Sequence, residues 1–141
     1  MFSNIVLAYD GSNSSKKALE KAIEIAKIND AKLEVVHSLH NRAAILGEAI
    51  FTPSDDYEKD YLEHTQVIID KLNDELSPIP NAKATLLIGN PVTTILNYAY
   101  DISADLVIVG NRGLSDVKEF FLGSVSHNLV QHSKIPVLVI K

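Results

Sequence analysis

Gly110-Asn111-Arg112-Gly113-Leu114-Ser115-Asp116-Val117-Lys118-Glu119-Phe120-Phe121-Leu122-Gly123-Ser124-Val125-Ser126 follows directly on the apolar run Leu106-Val107-Ile108-Val109. A strand that empties into a glycine loop and then a helix has the geometry of a phosphate site. Gly110 and Gly113 can adopt positive φ and carry no Cβ to hold a ligand off the backbone, so successive N–H groups can turn toward an anion. Gly123 and Ser124 fall where the next helix begins, with free N–H donors, the positive end of the helix dipole and a hydroxyl. Any strand-to-helix connection can use Gly for its turn and Ser for its cap. Three glycines spaced G-x2-G-x9-G-S are a rarer arrangement, and it fits neither the P-loop G-x4-G-K-[ST] nor the dinucleotide-binding G-x-G-x-x-G.

Working outward, Ser3 to Tyr9 is a β-rich run ending at Asp10-Gly11-Ser12, and from Ser15 apolar residues recur at Ala18, Leu19, Ala22, Ile23 and Ala26. That spacing predicts a strand feeding an amphipathic helix, with Ser12 as N-cap and Asn29-Asp30 as its end. Lys32 to Leu39 predicts a second strand, covered on both faces. His40 to Ser54 has no clean period and reads as a variable connection with a short helical piece around Arg42 to Ile50. A second helix is expected from Ser54 or Asp55 to Leu76, with an inward stripe of Tyr61, Ile68, Leu72 and Leu76, stopped at Ser77-Pro78. Ala82 to Ile88 is the third strand, and Gly89-Asn90-Pro91 supplies turn, cap and first helical position. The helix that follows should turn Val92, Ile95, Leu96, Ala99 and Tyr100 inward. Leu106 to Val109 is the fourth strand, a last helix runs through Val125, Leu129 and Val130, and Pro136 to Ile140 is the fifth strand. Strands alternating with helices imply parallel pairing through right-handed crossovers, and so a doubly wound α/β sheet. The pattern alone leaves the strand order open.

From Ile5-Val6-Leu7-Ala8-Tyr9-Asp10-Gly11-Ser12 through G-x2-G-x9-G-S to Pro136-Val137-Leu138-Val139-Ile140, the whole chain resembles the universal stress protein family, in its nucleotide-binding branch. The resemblance implies one domain over residues 1–141, a Rossmann-like open five-stranded parallel sheet in the order 3-2-1-4-5, and helices on both faces. Strands one and four are then neighbours at the topological switch point, where open α/β sheets bind ligands beyond the carboxyl ends of the strands. Asp10 and Gly110 would meet there. The resemblance further implies ATP held with Mg2+ or Mn2+, the backbone of Ala8 and Tyr9 lining the crevice, and Asp10 near the metal-bound phosphates. The backbone of Ser38 would read the adenine edge, and Val109 and Gly110 would flank the nucleotide. Arg112 and Gly113 would carry the phosphate loop, and Gly123, Ser124, Val125 and Ser126 would donate to the phosphates. It also implies a homodimer through the C-terminal strand, whose Val137 to Ile140 would otherwise be an exposed apolar edge.

The 141 residues are 46% hydrophobic, enough for one domain to bury a core without staples. Cysteine is absent, which removes disulfides, thiolate metal sites and thiol nucleophiles and suits a reducing cytoplasm. No basic leader opens the chain, and no apolar run approaches the roughly 18 residues that span a bilayer. Eighteen acidic against thirteen basic residues give a net charge of −5, which opposes nucleic acid and anionic membrane as partners. A triphosphate would therefore need local help from backbone dipoles, Arg112 and a divalent cation. His37 with His40, and His127 with His132, lack the spacing of a ligand set and read as surface or core histidines. Phe120-Phe121-Leu122 reads as packing, and the acidic groups at Asp55-Asp56 and Asp101 to Asp105 as solvated or capping residues.

The functional expectation is an ATP-binding regulatory or stress-response module whose nucleotide occupancy sets its conformation or its protein partners, without fast turnover. The alternative is a slow ATPase or other nucleotide-processing enzyme of the same fold. Against it, ATP pyrophosphatase-type enzymes carry a Ser-Gly-Gly-x-Asp-Ser loop after strand one, which Ala8-Tyr9-Asp10-Gly11-Ser12 is not, and no nucleophile with its base is visible. A scaffold that binds no nucleotide would show broken glycines, and here they are intact.

Overall fold

Alternation along the first strand explains the layers. In β1 (Asn4–Ala8), Ile5 and Leu7 face one side and Val6 and Ala8 the other, and all four are buried, because helices cover both faces of the sheet. The computed structural model describes residues 1–40, 55–112 and 122–141, with side chains in the second helix described from residue 59. Within these, β1 is followed by α1 (Asn13–Asn29), β2 (Lys32–Leu39), α2 (Asp55–Leu76), β3 (Ala82–Ile88), α3 (Pro91–Asp101), β4 (Leu106–Gly110), α4 (Ser124–His132) and β5 (Val137–Ile140). The expected connection over 41–54 lies outside the described residues, as do Gly113, Phe120 and Phe121.

The strands pair in parallel in the order β3-β2-β1-β4-β5, with Ala8 opposite Val36 on one side and Val109 on the other. Leu7, Leu33, Val35, Ala18, Ala22 and Leu72 form the core under α1 and α2. Val6, Val36, Val107, Ile95, Ala99 and Leu129 form the core under α3 and α4. Truncating a fully buried member such as Leu7 to Ala costs about 2–5 kcal/mol.

The helix starts follow the sequence reading. Ser12 Oγ accepts from Ser15 N–H at 3.1 Å, and Asn90 Oδ1 accepts from Thr93 N–H at 3.1 Å with Pro91 at the first turn. Asp30 closes α1 in the left-handed region at φ 53°. Asp105 has a capping role of another kind: its carboxylate accepts from Ser3 and Asn4 N–H and so ties down the start of β1.

Three helix faces differ from expectation by a fraction of a turn. In α2 the inward residues are Thr65, Ile69, Leu72 and Leu76, while Tyr61 and Ile68 are exposed. Val67, Ile68 and Ile69 are all apolar, so pattern cannot choose among them. The positions of Leu72 and Leu76 select Ile69 and Thr65, and Thr65 is admitted because its hydroxyl donates to the Tyr61 carbonyl at 2.8 Å. In α3, Tyr100 is at the margin of the stripe and exposed, with its hydroxyl accepting from Lys134 N–H at 3.0 Å. In α4, Leu129 is buried and Val130, the next residue around, is exposed.

Candidate functional site

Beyond the carboxyl ends of β1, β2 and β4 lies a cleft of about 290 Å³. Asp10 leaves β1 and its Oδ1 accepts from Ser12 N–H at 2.9 Å, a short-range bond that fixes the carboxylate at the rim. Gly11, at φ 83°, makes the turn that such a bond requires. The plain structural role of Asp10 is thus real, and the cleft-lining position expected of it is real as well.

The β4 side is built by a closed set of bonds. Asn111 N–H donates to the Ile140 carbonyl at 2.8 Å, extending the sheet by one residue. The Asn111 carbonyl accepts from Gly123 N–H at 2.6 Å and from Ser126 Oγ at 3.2 Å, so the chain leaves at Arg112 and returns at Gly123 to the same spot. Ser14 Oγ donates to Asn111 Oδ1 at 2.9 Å and accepts from Arg112 N–H at 3.4 Å, which joins this corner to the first turn of α1.

Two expectations about the glycines change. Gly110 is not at positive φ; its reason for lacking a Cβ is the approach of Ser14, whose backbone carbonyl carbon would stand 2.8 Å away. Gly123 is extended at φ −66°, ψ 165°, a conformation open to any residue. Its N–H and the Ser126 hydroxyl are already spent on Asn111 and on the Gly123 carbonyl, so neither is an open donor. What faces outward is the start of α4 itself. The N-termini of α1 and α4 contrast here: Ser12 caps α1, whereas among the described residues no side chain caps α4, and its first-turn residues Ser124, Val125 and Ser126 line the cleft.

Eleven of the twelve expected site residues line this cleft: Ala8, Tyr9, Asp10, Ser38, Val109, Gly110, Arg112, Gly123, Ser124, Val125 and Ser126. Gly113 lies outside the described residues. The Ser38 side chain is engaged elsewhere, its Oγ donating to the Gly89 carbonyl at 3.2 Å and sharing a bond of 2.8 Å with Thr94 Oγ1. Burial, followed by the charges of Glu75 and Asp10, raises the Tyr9 phenol above its ordinary value, so it stays protonated at neutral pH. Among the described residues no group of three or more His, Cys, Asp or Glu side chains could hold a metal ion. A cation at Asp10 would then need most of its ligands from the bound molecule and water.

Sequence reasoning missed Ser15, His37, His40, Tyr61, Pro91 and Ile95 as lining residues. Tyr61 and Ile95 fit the apolar stripes of their helices, and hydrophobicity gives no sign that they also line the cleft. His37 Nδ1 bonds the Tyr9 carbonyl at 2.7 Å, a contact that its sequence neighbourhood does not signal. No helix among the described residues is long and apolar enough to cross a membrane.

Comparison with known proteins agrees with this architecture. A universal stress protein of Thermus aquaticus, encoded in the 3′ region of a QAH/OAS sulfhydrylase, is 37% identical over 141 residues, covering all of both chains. The solved universal stress protein UspA from Lactobacillus plantarum superposes with a TM-score of 0.81 over 99% of this chain and 97% of its own, at 24% identity. A universal stress protein solved in complex with cAMP superposes at 0.70 with 28% identity, over 99% and 96% of the two chains. The pattern of the universal stress protein family matches residues 1–141, and the chain belongs to that family.

Proposed function

We propose that this chain is an ATP-binding regulatory or stress-response module of the cytoplasm, which takes ATP with Mg2+ or Mn2+, pairs as a homodimer through β5 and turns the nucleotide over slowly at most. The observation that carries the reading is that the start of α4, without a side-chain cap among the described residues, and the Asp10 carboxylate line the same cleft at the switch point. Ser124 to Ser126 offer N–H groups and a dipole suited to phosphate, Asp10 offers a carboxylate suited to a phosphate-bound cation, and both line one cleft. A neighbour solved with cAMP supports an adenine nucleotide as the ligand class. Slow turnover is inferred from the cleft residues: among the described residues the lining provides a cradle without a lysine of the Walker type. Interactions shared equally by substrate and transition state tighten the complex without speeding the reaction.

The two sheet edges support the dimer reading. On β3, Asn73 takes both outward groups of Ala84, accepting from its N–H at 2.8 Å and donating to its carbonyl at 3.1 Å, so that edge is blocked at this position. On β5, Pro136 and Ile140 turn their carbonyls to β4. By alternation Val137 and Val139 present theirs outward, ready for a second copy.

Freshly purified protein, denatured and analysed for released nucleotide, should yield an adenine nucleotide, and calorimetry should show ATP binding that tightens with Mg2+. No binding of ATP or cAMP at millimolar concentration would overturn the reading. Turnover near or above about 1 s⁻¹, lost in Asp10→Ala, would replace it with an enzyme.

A further inference from the structure

The geometry points to His37 as a specificity-determining residue: we propose that its Nε2 accepts a hydrogen bond from a donor on the nucleoside half of the ligand. The inference rests on the nucleotide reading above. His37 is in β2, lines the cleft, and its Nδ1 is 2.7 Å from the Tyr9 carbonyl oxygen. A carbonyl only accepts, so Nδ1 carries the proton, and in the neutral ring Nε2 is left with its lone pair. That bond does two things at once. It holds the ring against the end of β1, and in the neutral ring it selects the tautomer whose free nitrogen is an acceptor. Among the described residues Nε2 has no hydrogen-bond partner of its own.

Position decides what it would meet. The phosphate-suited groups, Arg112 and the start of α4, follow β4. The order β2-β1-β4 puts His37 on the far side of β1 from them. A nucleotide anchored by its phosphates at α4 would lay its ribose and base toward β2. Donors available there are the ribose hydroxyls and an exocyclic amino group, and phosphate oxygens, being acceptors, are excluded. Ser38 cannot take this role with its side chain, which is turned to Gly89 and Thr94.

Two substitutions separate the halves of the ring. His37→Asn keeps an amide donor near the Nδ1 position for the Tyr9 carbonyl and removes the outer acceptor. His37→Gln restores an acceptor at the outer position. Affinities are measured by calorimetry for ATP, 2′-deoxy-ATP, 3′-deoxy-ATP and purine riboside triphosphate, which lacks the 6-amino group. The parent is expected to bind one analogue about three- to tenfold more weakly than ATP. His37→Asn should lose ATP affinity by the same factor and cease to distinguish that analogue, and His37→Gln should recover the distinction. The analogue concerned identifies the donor as hydroxyl or amino group. In the parent, ATP should also move the 15N resonance of His37 Nε2 while Nδ1 stays protonated, a readout that needs no variant. If the parent binds ATP while His37→Asn keeps every preference, or the Nε2 resonance does not move, the inference falls and the nucleotide reading stands. If the parent binds none of the four, the nucleotide reading falls and this inference with it.

Discussion

A Cβ placed on Gly110 would stand 2.8 Å from the backbone carbonyl carbon of Ser14, and closer still to its hydroxyl oxygen. The last residue of β4 and the first turn of α1 are therefore in contact across the switch point, and the same Ser14 hydroxyl bonds Asn111 just beyond. The glycine is required by the neighbouring helix. Gly110→Ala should lower stability by about 1–3 kcal/mol, the range for overpacking a closed site. Ser14→Ala should recover only part of that, because the backbone contact remains. Urea denaturation of the two single variants and the double variant measures this; an unchanged midpoint for Gly110→Ala would refute the contact.

Gly123 offers a case in which stability and binding should move in opposite directions. Its extended backbone suits an N-cap, yet among the described residues no side chain caps α4. Gly123→Asp would supply that cap and a favourable charge at the dipole, raising stability by up to about 1 kcal/mol. The same carboxylate would occupy the donors proposed for phosphate and repel it. A higher melting temperature with ATP binding reduced at least tenfold is expected; retained ATP affinity would remove α4 from the site. Gly123→Val should fold and bind more weakly than Gly123→Ala.

Asp10→Asn tests the metal separately from the turn. The amide oxygen still accepts from Ser12 N–H, so the local fold should persist, while the negative charge is lost. ATP affinity without metal should hold or improve, and the gain on adding Mg2+ should disappear. Calorimetry with and without Mg2+ gives the answer, and an undiminished metal effect would exclude Asp10 as its site.

Val139→Pro removes one outward N–H from β5 and leaves the bonds to β4 that Pro136 and Ile140 accept. If two copies pair along this edge, sedimentation at micromolar concentration should change from dimer to monomer. A parent that is monomeric, or a variant that stays dimeric, would count against pairing through β5.

By itself the sequence pattern determined the elements and the doubly wound α/β class, while the strand order came from the family resemblance and is seen in the sheet. Period-two apolar runs, the Ser12 and Asn90 caps and the Gly89-Asn90-Pro91 turn act within a few residues, so the bounds of β2 and β3 agree with the runs that predict them. The glycine and aspartate motifs likewise marked both walls of the cleft, because backbone that approaches a ligand or a neighbouring chain restricts residue type locally. Only the tertiary structure decided the rest. Whether Ile68 or Ile69 faces inward depends on how α2 lies on the sheet, a rotation that three adjacent apolar residues leave undefined. Gly110 owes its residue type to Ser14, nearly a hundred positions away, rather than to its own φ. Tyr61, His37 and Ile95 come to one cleft because a parallel sheet with crossovers brings the ends of distant elements together. No periodicity records that meeting, since each of these residues is explained locally by the helix or strand that carries it.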